Sequence, residues 1–248
     1  MTIESEQDLV ALKEVGRIVA RTLRAMMRVA EPGMTTGELD GVGRDLLAHY
    51  EAESAPKVTY DFPGYTCISV NEEAAHGIPG ARILQPGDVV NIDVSAQKNG
   101  YFADTGGTFV IPPSSDLKNR LLHSTRLALT AACSQARAGR PLNGIGRAIE
   151  KVARKKRFRI IENLCGHGVG RSLHEAPREI PGYYNPRDRR VLAEGQVLAL
   201  EPFLSTHSTY VTEGSDGWTL AGHEHNLSAQ FEHTIVVTRN KPIILTAA

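Results

Sequence analysis

Apolar residues recur at three- and four-residue steps across residues 5–30 (Leu9, Leu12, Val15, Val19, Leu23, Met26), which predicts an amphipathic helix. Pro32-Gly33 stops it, and Thr35-Thr36-Gly37-Glu38 carries the capping-box pattern that opens a second helix to about residue 52. The Pro- and Gly-rich stretch 55–65 reads as a loop and 66–70 as a strand. The period then changes to two. Runs 89–96 and 101–110 flank Asn99-Gly100, the strongest short signal for a β-hairpin. After Ile111-Pro112-Pro113, Ser115 can cap a helix to about residue 136. Gly139-Arg140-Pro141 breaks it, and another helix runs over about 142–155. Strand-like segments follow at 159–163, 196–200, 209–212, 218–220 and 230–238. The order of helices then strands thus occurs twice.

The predicted hairpin holds acids where strands favour β-branched and aromatic residues. With Asn99-Gly100 as the loop, Lys98 faces Tyr101, Ser95 faces Asp104 and Asp93 faces Gly106. Asp93 and Asp104 then share a face as diagonal neighbours, roughly 7–8 Å apart at Cβ. Two carboxylates at that spacing can converge on metal ions about 3.5–4 Å apart. Asn91 and Ser95 on that face are polar too, so the hairpin alone fits a solvated face equally well.

The second half repeats the pattern weakly. Leu84-Gln85-Pro86-Gly87-Asp88-Val89, followed by Asp93, matches Leu192-Ala193-Glu194-Gly195-Gln196-Val197, followed by Glu201. Asp104-Thr105 resembles Glu232-His233-Thr234, and His76-Gly77-Ile78 resembles His167-Gly168-Val169. Each half then offers one histidine and two acids, as expected of a duplicated fold with a site on its pseudo-twofold axis. Asp93, Asp104, Glu201 and Glu232 near one core would repel one another and resist desolvation. Two divalent cations remove that conflict, and an oxygen-rich set with one imidazole suits Mn, Fe(II), Co or Zn. His167, between glycines, is the imidazole expected there. His223, His225 and His233 read as structural.

Composition narrows the setting. The 248 residues are 41% hydrophobic and 23% charged, a globular balance. Lys+Arg and Asp+Glu both number 28, so no global field recruits nucleic acid or an anionic membrane. The short basic run 154–159 reads as a solvated helix end and leaves room for no more than a transient ribosome contact. Three cysteines without CxxC spacing point to a reducing compartment. The acidic N-terminal stretch is no signal sequence, and no apolar run reaches about 18 residues. A cytoplasmic protein is expected.

The motifs NEEAAHGIP (71–79), VNIDV (90–94) with ADT (103–105), GHGVGRSLHEAP (166–177), LEP (200–202) and QFEHTIVVT (230–238) resemble, in order and spacing, those of the type I methionine aminopeptidases. The resemblance implies an α+β pita-bread fold over a single catalytic domain, 1–248, with pseudo-twofold halves of about 1–112 and 113–248. It implies removal of initiator methionine before a small second residue by a metal-bridging water. Asp93, Asp104, His167, Glu201 and Glu232 would hold two divalent ions, with Asp104 and Glu232 bridging. Glu201 would shuttle the proton, His174 would face the scissile carbonyl and His76 the amide nitrogen. Phe62, Cys67, Leu173 and Trp218 would enclose the methionine side chain. Leu173 and Thr59 stand where bacterial relatives often carry aromatic residues, and Phe231 replaces a common Tyr. The segment between Glu201 and Glu232 is too short for the type II insertion. No N-terminal extension is expected, which disfavours the prolidase and aminopeptidase P relatives with their extra domain. The partner expected is the N-terminal Met of peptides and nascent chains, and the state expected is a monomer.

Overall fold

The structure, a computed structural model, describes residues 1–247. Helix α1 spans Glu6–Val29. Its first turn is closed by a reciprocal pair: the Asp8 backbone N–H donates to Ser5 Oγ, and the Asp8 carboxylate accepts from the Ser5 backbone N–H. Helix α2 spans Thr36–His49, opened in the same way by Thr35 and Glu38 and ending short of the expected residue 52. Strand β1 (Glu53–Ser54) comes next, and then helix α3, Ala55–Tyr60, where a loop was expected. Pro56 sits in its first turn, where a missing N–H costs nothing, so a residue that reads as a breaker here starts a helix. Strands β2 (Cys67–Val70), β3 (Glu73–Ala75), β4 (Val89–Lys98) and β5 (Tyr101–Val110) complete this part.

The β4–β5 register is the expected one: Lys98 opposite Tyr101, Ser95 opposite Asp104, Asp93 opposite Gly106. Asn99 (φ +54°) and Gly100 (φ +76°) make a turn that requires left-handed backbone at both positions. Strand β2 pairs antiparallel along the other edge of β4, with Cys67 opposite Asp93. Val90, Ile92 and Val94 pack under α1 and α2 with Val15, Val19, Leu23, Met26 and Leu39. Period-two alternation then turns Asn91, Asp93 and Ser95 to the opposite face.

The second part begins with α4 (Asp116–Gln135) and α5 (Asn143–Lys156), followed by β6 (Arg159–Ile160), β7 (Cys165–Gly168), β8 (Glu175–Pro181), β9 (Val197–Leu200) and β10 (Phe203–Ser205). Short strands β11 (Thr212–Glu213) and β12 (Leu220–Ala221) lie slightly later than expected. The stretch 230–238 is not one strand. It divides into β13 (Ser228–Gln230) and β14 (His233–Val236), with Glu232 in the break, and β15 (Ile243–Ile244) pairs with β14. Strand β9 lies between β7 and β14, as β4 lies between β2 and β5. Its Leu198 and Leu200 pack under α4 and α5 with Leu121, Leu129, Ile145 and Ile149.

The registers correct the internal repeat. With Asp93 and Glu201 as equivalents, Ser69 opposite Asn91 matches His167 opposite Ala199. The counterpart of His167 is therefore Ser69, not His76, which follows β3. On the other side, His233 opposite Leu200 makes Glu232 the counterpart of Gly106 and Thr234 that of Thr108, and Gln230 opposite Phe203 is the counterpart of Asp104 opposite Ser95. The two sheets join here. Thr234 Oγ1 accepts from the Asp104 N–H at 2.8 Å and donates to the Asp104 carbonyl at 2.7 Å. The Glu232 N–H donates to the Gly106 carbonyl at 2.9 Å.

Candidate metal centre and substrate cavity

The strand faces turned away from the helices meet at a cavity of about 300 Å³. Asp93 and Asp104 reach it from the first sheet, and His167 and Glu201 from the second. Glu232 stands behind them, 2% exposed. One ligand atom from each of Asp104, His167 and Glu232 falls within a 4.8 Å cluster. His167 Nδ1 lies 3.0 Å from the Gly168 carbonyl, a partner that fixes its N–H there and turns the Nε2 lone pair into the site. Nε2 stands 3.4 Å from Glu201 Oε1 and 3.8 Å from Asp104 Oδ2. These gaps are too long for good hydrogen bonds. They suit atoms that share a cation at about 2.0–2.2 Å each.

Every ionisable group here is displaced toward its uncharged form. Burial pushes Asp104 up to about 6. Burial, then the charges of Asp104 and Glu201, pushes Asp93 well up. Burial, then Asp104, does the same to Glu201, and Glu232 follows with Asp104, Glu201 and Asp93 against it. Burial pushes His167 down to about 3, so its contacts with the acids are not ion pairs. Asp104 Oδ1 and Glu232 Oε1 are buried without a hydrogen-bond partner, a cost of about 1–3 kcal/mol each for polar atoms left in that state. Orphaned carboxylate oxygens, an imidazole lone pair aimed between them and mutual repulsion together fit divalent cations. The carboxylates and imidazole suit Mn, Fe(II), Co or Zn.

A polar layer that sequence reading missed holds Glu232. Gln230 Nε2 donates to Glu232 Oε2 at 3.0 Å, and Gln230 Oε1 accepts from Asn91 Nδ2 at 2.9 Å. The Gln230 amide occupies the place a side chain on Gly106 would fill, which is why that strand position is glycine. The period-two pattern does place Asn91 on the Asp93 face, the one signal for this layer in the sequence.

The rest of the cavity is soft and aromatic. Phe62 and Leu173 are buried, Cys67 borders them, and the Phe62 and Trp218 rings meet edge to face at 5.2 Å. His76, with left-handed backbone (φ +55°), and His174 complete the lining beside the acids. The His174 and His167 rings lie 4.1 Å apart, and burial followed by His76 pushes His174 down. Every sequence-predicted site residue except Glu232 therefore lines this one cavity. Thr59 does not. The next residue, Tyr60, does, because α3 sets its ring at the cavity edge, 43% exposed, with its hydroxyl 2.8 Å from His174 Nδ1. Nothing in the 55–65 stretch, read as loop, points to it.

The profile of metallopeptidase family M24 matches residues 10–239. The chain is 48% identical over 247 residues to methionine aminopeptidase 2 of Bacillus subtilis, covering 99% of each. It is 47% identical over 247 residues to a methionine aminopeptidase of Staphylococcus epidermidis, covering 99% of this chain and 98% of that one. The crystal structure of a methionine aminopeptidase from Thermotoga maritima matches with a TM-score of 0.95 at 32% identity, covering 100% of both chains.

Proposed function

The chain belongs to metallopeptidase family M24, and on that premise we propose that it removes the initiator methionine from nascent proteins whose second residue is small. Its fold is the family's pita-bread fold. The observation that carries the reading is the pair of orphaned carboxylate oxygens, on Asp104 and Glu232, against the His167 lone pair beside an apolar, aromatic cavity. The assigned ligands are Asp93, Asp104, His167, Glu201 and Glu232, holding two divalent ions. Four carboxylates balance the charge of two such ions. When bound, the ions supply a nucleophilic water at neutral pH and polarise the carbonyl.

The chain's own groups do the rest. Phe62, Cys67, Leu173 and Trp218 hold a thioether side chain among polarisable walls. Glu201, at the cavity wall, takes the proton from the attacking water and returns it to the leaving amine. His174 donates to the carbonyl oxygen as charge develops, and His76 faces the scissile nitrogen. Both halves supply ligands, so the proposed catalytic unit is one domain acting as a monomer. Free, mostly buried cysteines support a reducing cytoplasmic setting, where nascent chains are met. Transient ribosome contact is compatible with the basic run at 154–159. Among the described residues no helix is long and apolar enough to cross a membrane.

The test is release of Met from Met-Ala-Ser beside Leu-Ala-Ser, N-acetyl-Met-Ala-Ser and Met-Lys-Ser, with chelator and then with added Mn or Co. Cleavage of the first peptide alone, lost with chelator and restored by metal, is expected. Broad release of other residues overturns the methionine pocket. No release with any metal moves the chain to a peptide-binding module without catalysis, a reading disfavoured by the full ligand set.

A further inference from the structure

Tyr60 ends α3, a helix fixed at both ends. Ser54 Oγ donates to the Tyr65 carbonyl at 2.7 Å, and Asp61, in left-handed backbone at φ +58°, returns its N–H to the carbonyls of Pro56 and Lys57. The phenol is therefore carried on an ordered turn, and it reaches one polar partner, His174 Nδ1, at 2.8 Å with ring centroids 5.6 Å apart. The far nitrogen of His174, Nε2, has no hydrogen-bond partner among the described residues. A neutral imidazole carries one donor and one acceptor, and the partner of one nitrogen decides which the other is. With a proton on Nδ1, His174 would present a lone pair to the substrate and repel a developing oxyanion. With the proton on Nε2 it presents a donor. A phenol O–H is a stronger acid than an imidazole N–H, and an imidazole nitrogen is a better base than a phenol oxygen. The O–H···N arrangement is the stronger of the two.

We propose that Tyr60 is a positioning residue, donating its phenol hydrogen to His174 Nδ1 and so holding that ring as the Nε2–H tautomer that faces the scissile carbonyl. The inference rests on the aminopeptidase reading of the site. Tyr60 touches no reacting atom. It sets the direction of a donor whose value lies in the transition state, because only there does the carbonyl oxygen carry full charge. Its loss lowers kcat and leaves KM near its starting value.

The experiment uses Tyr60→Phe, which keeps the ring and deletes the hydroxyl, in two measurements. In chelated, 15N-histidine-labelled protein, long-range proton–nitrogen spectra identify the nitrogen of His174 that carries hydrogen. The expected result is Nε2–H with a hydrogen-bonded Nδ1 in the parent, and a Tyr60→Phe Nδ1 signal moved to that of a free acceptor. Nδ1–H in the parent, or an unmoved Nδ1 signal in the variant, overturns the proposal. With metal and Met-Ala-Ser, the variant is expected to lose roughly fivefold to tenfold in kcat, the worth of about one hydrogen bond, with KM within about twofold. An unchanged kcat, or a loss confined to KM, also overturns it. If the parent fails to cleave the peptide, the enzymatic reading falls, and the spectra still report the tautomer.

Discussion

Replacing Asp104 by asparagine exchanges one oxygen for a nitrogen in a side chain that is 6% exposed. The backbone ties of that strand run through Thr234 and do not involve the carboxylate. Oδ1 has no partner to lose. What changes is the charge. Burial raises this carboxyl from its usual 3.8 to about 6, which at about 1.4 kcal/mol per pH unit penalises the ionised form by about 3 kcal/mol. The folded protein holds this proton more tightly than the unfolded chain does. The contribution to stability is therefore fully present below pH 3.8 and is lost as pH rises through about 6. Asparagine does not titrate and escapes that loss. In chelator at pH 7, Asp104→Asn is expected to be more stable than the parent by about 1–3 kcal/mol, the lower figure allowing for new amide donors that need partners. Below about pH 4 the difference should vanish. With Mn the order reverses, because the parent gains binding free energy and the variant has lost a ligand. Turnover of Met-Ala-Ser should fall at least roughly a hundredfold, since a metal contributes several kcal/mol to such a step. Urea unfolding in chelator at both pH values, with and without Mn, reads the stability, and peptide hydrolysis reads the activity. A variant less stable than the parent in chelator at pH 7 refutes the electrostatic reasoning, and retained turnover refutes the ligand assignment.

Trp218→Ala removes one face of the proposed methionine pocket and should raise KM for Met peptides about fivefold or more while kcat changes little; an unchanged KM would place the pocket elsewhere. Gly106→Ala puts a methyl where the Gln230 amide sits and frees Glu232 from its support. Metal affinity by titration calorimetry should drop roughly 10–100-fold, and an unaltered affinity would remove Gln230 from any role. His167→Ala deletes the imidazole donor, so metal content after purification should fall below that of the parent while the fold persists by circular dichroism.

How much of this was legible depended on whether local chemistry fixed the geometry. The Asn99-Gly100 turn dictates register on its own, so the shared face of Asp93 and Asp104 follows from the sequence before any fold is known. The caps at Ser5 and Thr35 are equally local. Helix α3 was hidden because Pro56, Pro63 and Gly64 resemble loop punctuation, and only tertiary packing reveals that Pro56 stands at a helix start. Tyr60 was lost with it. The sequence pattern puts Glu201 directly after one strand-like segment and Glu232 inside another. They stand just past the end of β9, where Pro202 follows, and in the gap before β14. Their positions depend on pairing between distant segments, which residue spacing does not encode.

The same pairing explains why the repeat is faint in sequence. Of the equivalent positions on the three strands of each sheet, only the central one carries an acid in both halves, as Asp93 and Glu201. Elsewhere a ligand in one half corresponds to a small, hydroxyl or amide residue in the other, and each such residue has its own task. Gln230, the counterpart of Asp104, has its backbone locked by the Thr108 hydroxyl, as Thr234 locks that of Asp104, and turns its amide to Glu232. Gly106, the counterpart of Glu232, leaves space for the Gln230 amide that holds Glu232. Ser69, the counterpart of His167, accepts from the Gly77 N–H at 3.1 Å and so shapes the turn just after His76. A full symmetric set would crowd more carboxylates and imidazoles around the same ions than their coordination can use, and each surplus acid would add to the repulsion already present. A symmetric frame filled asymmetrically avoids that. It also divides the ligands so that neither half can close the site alone.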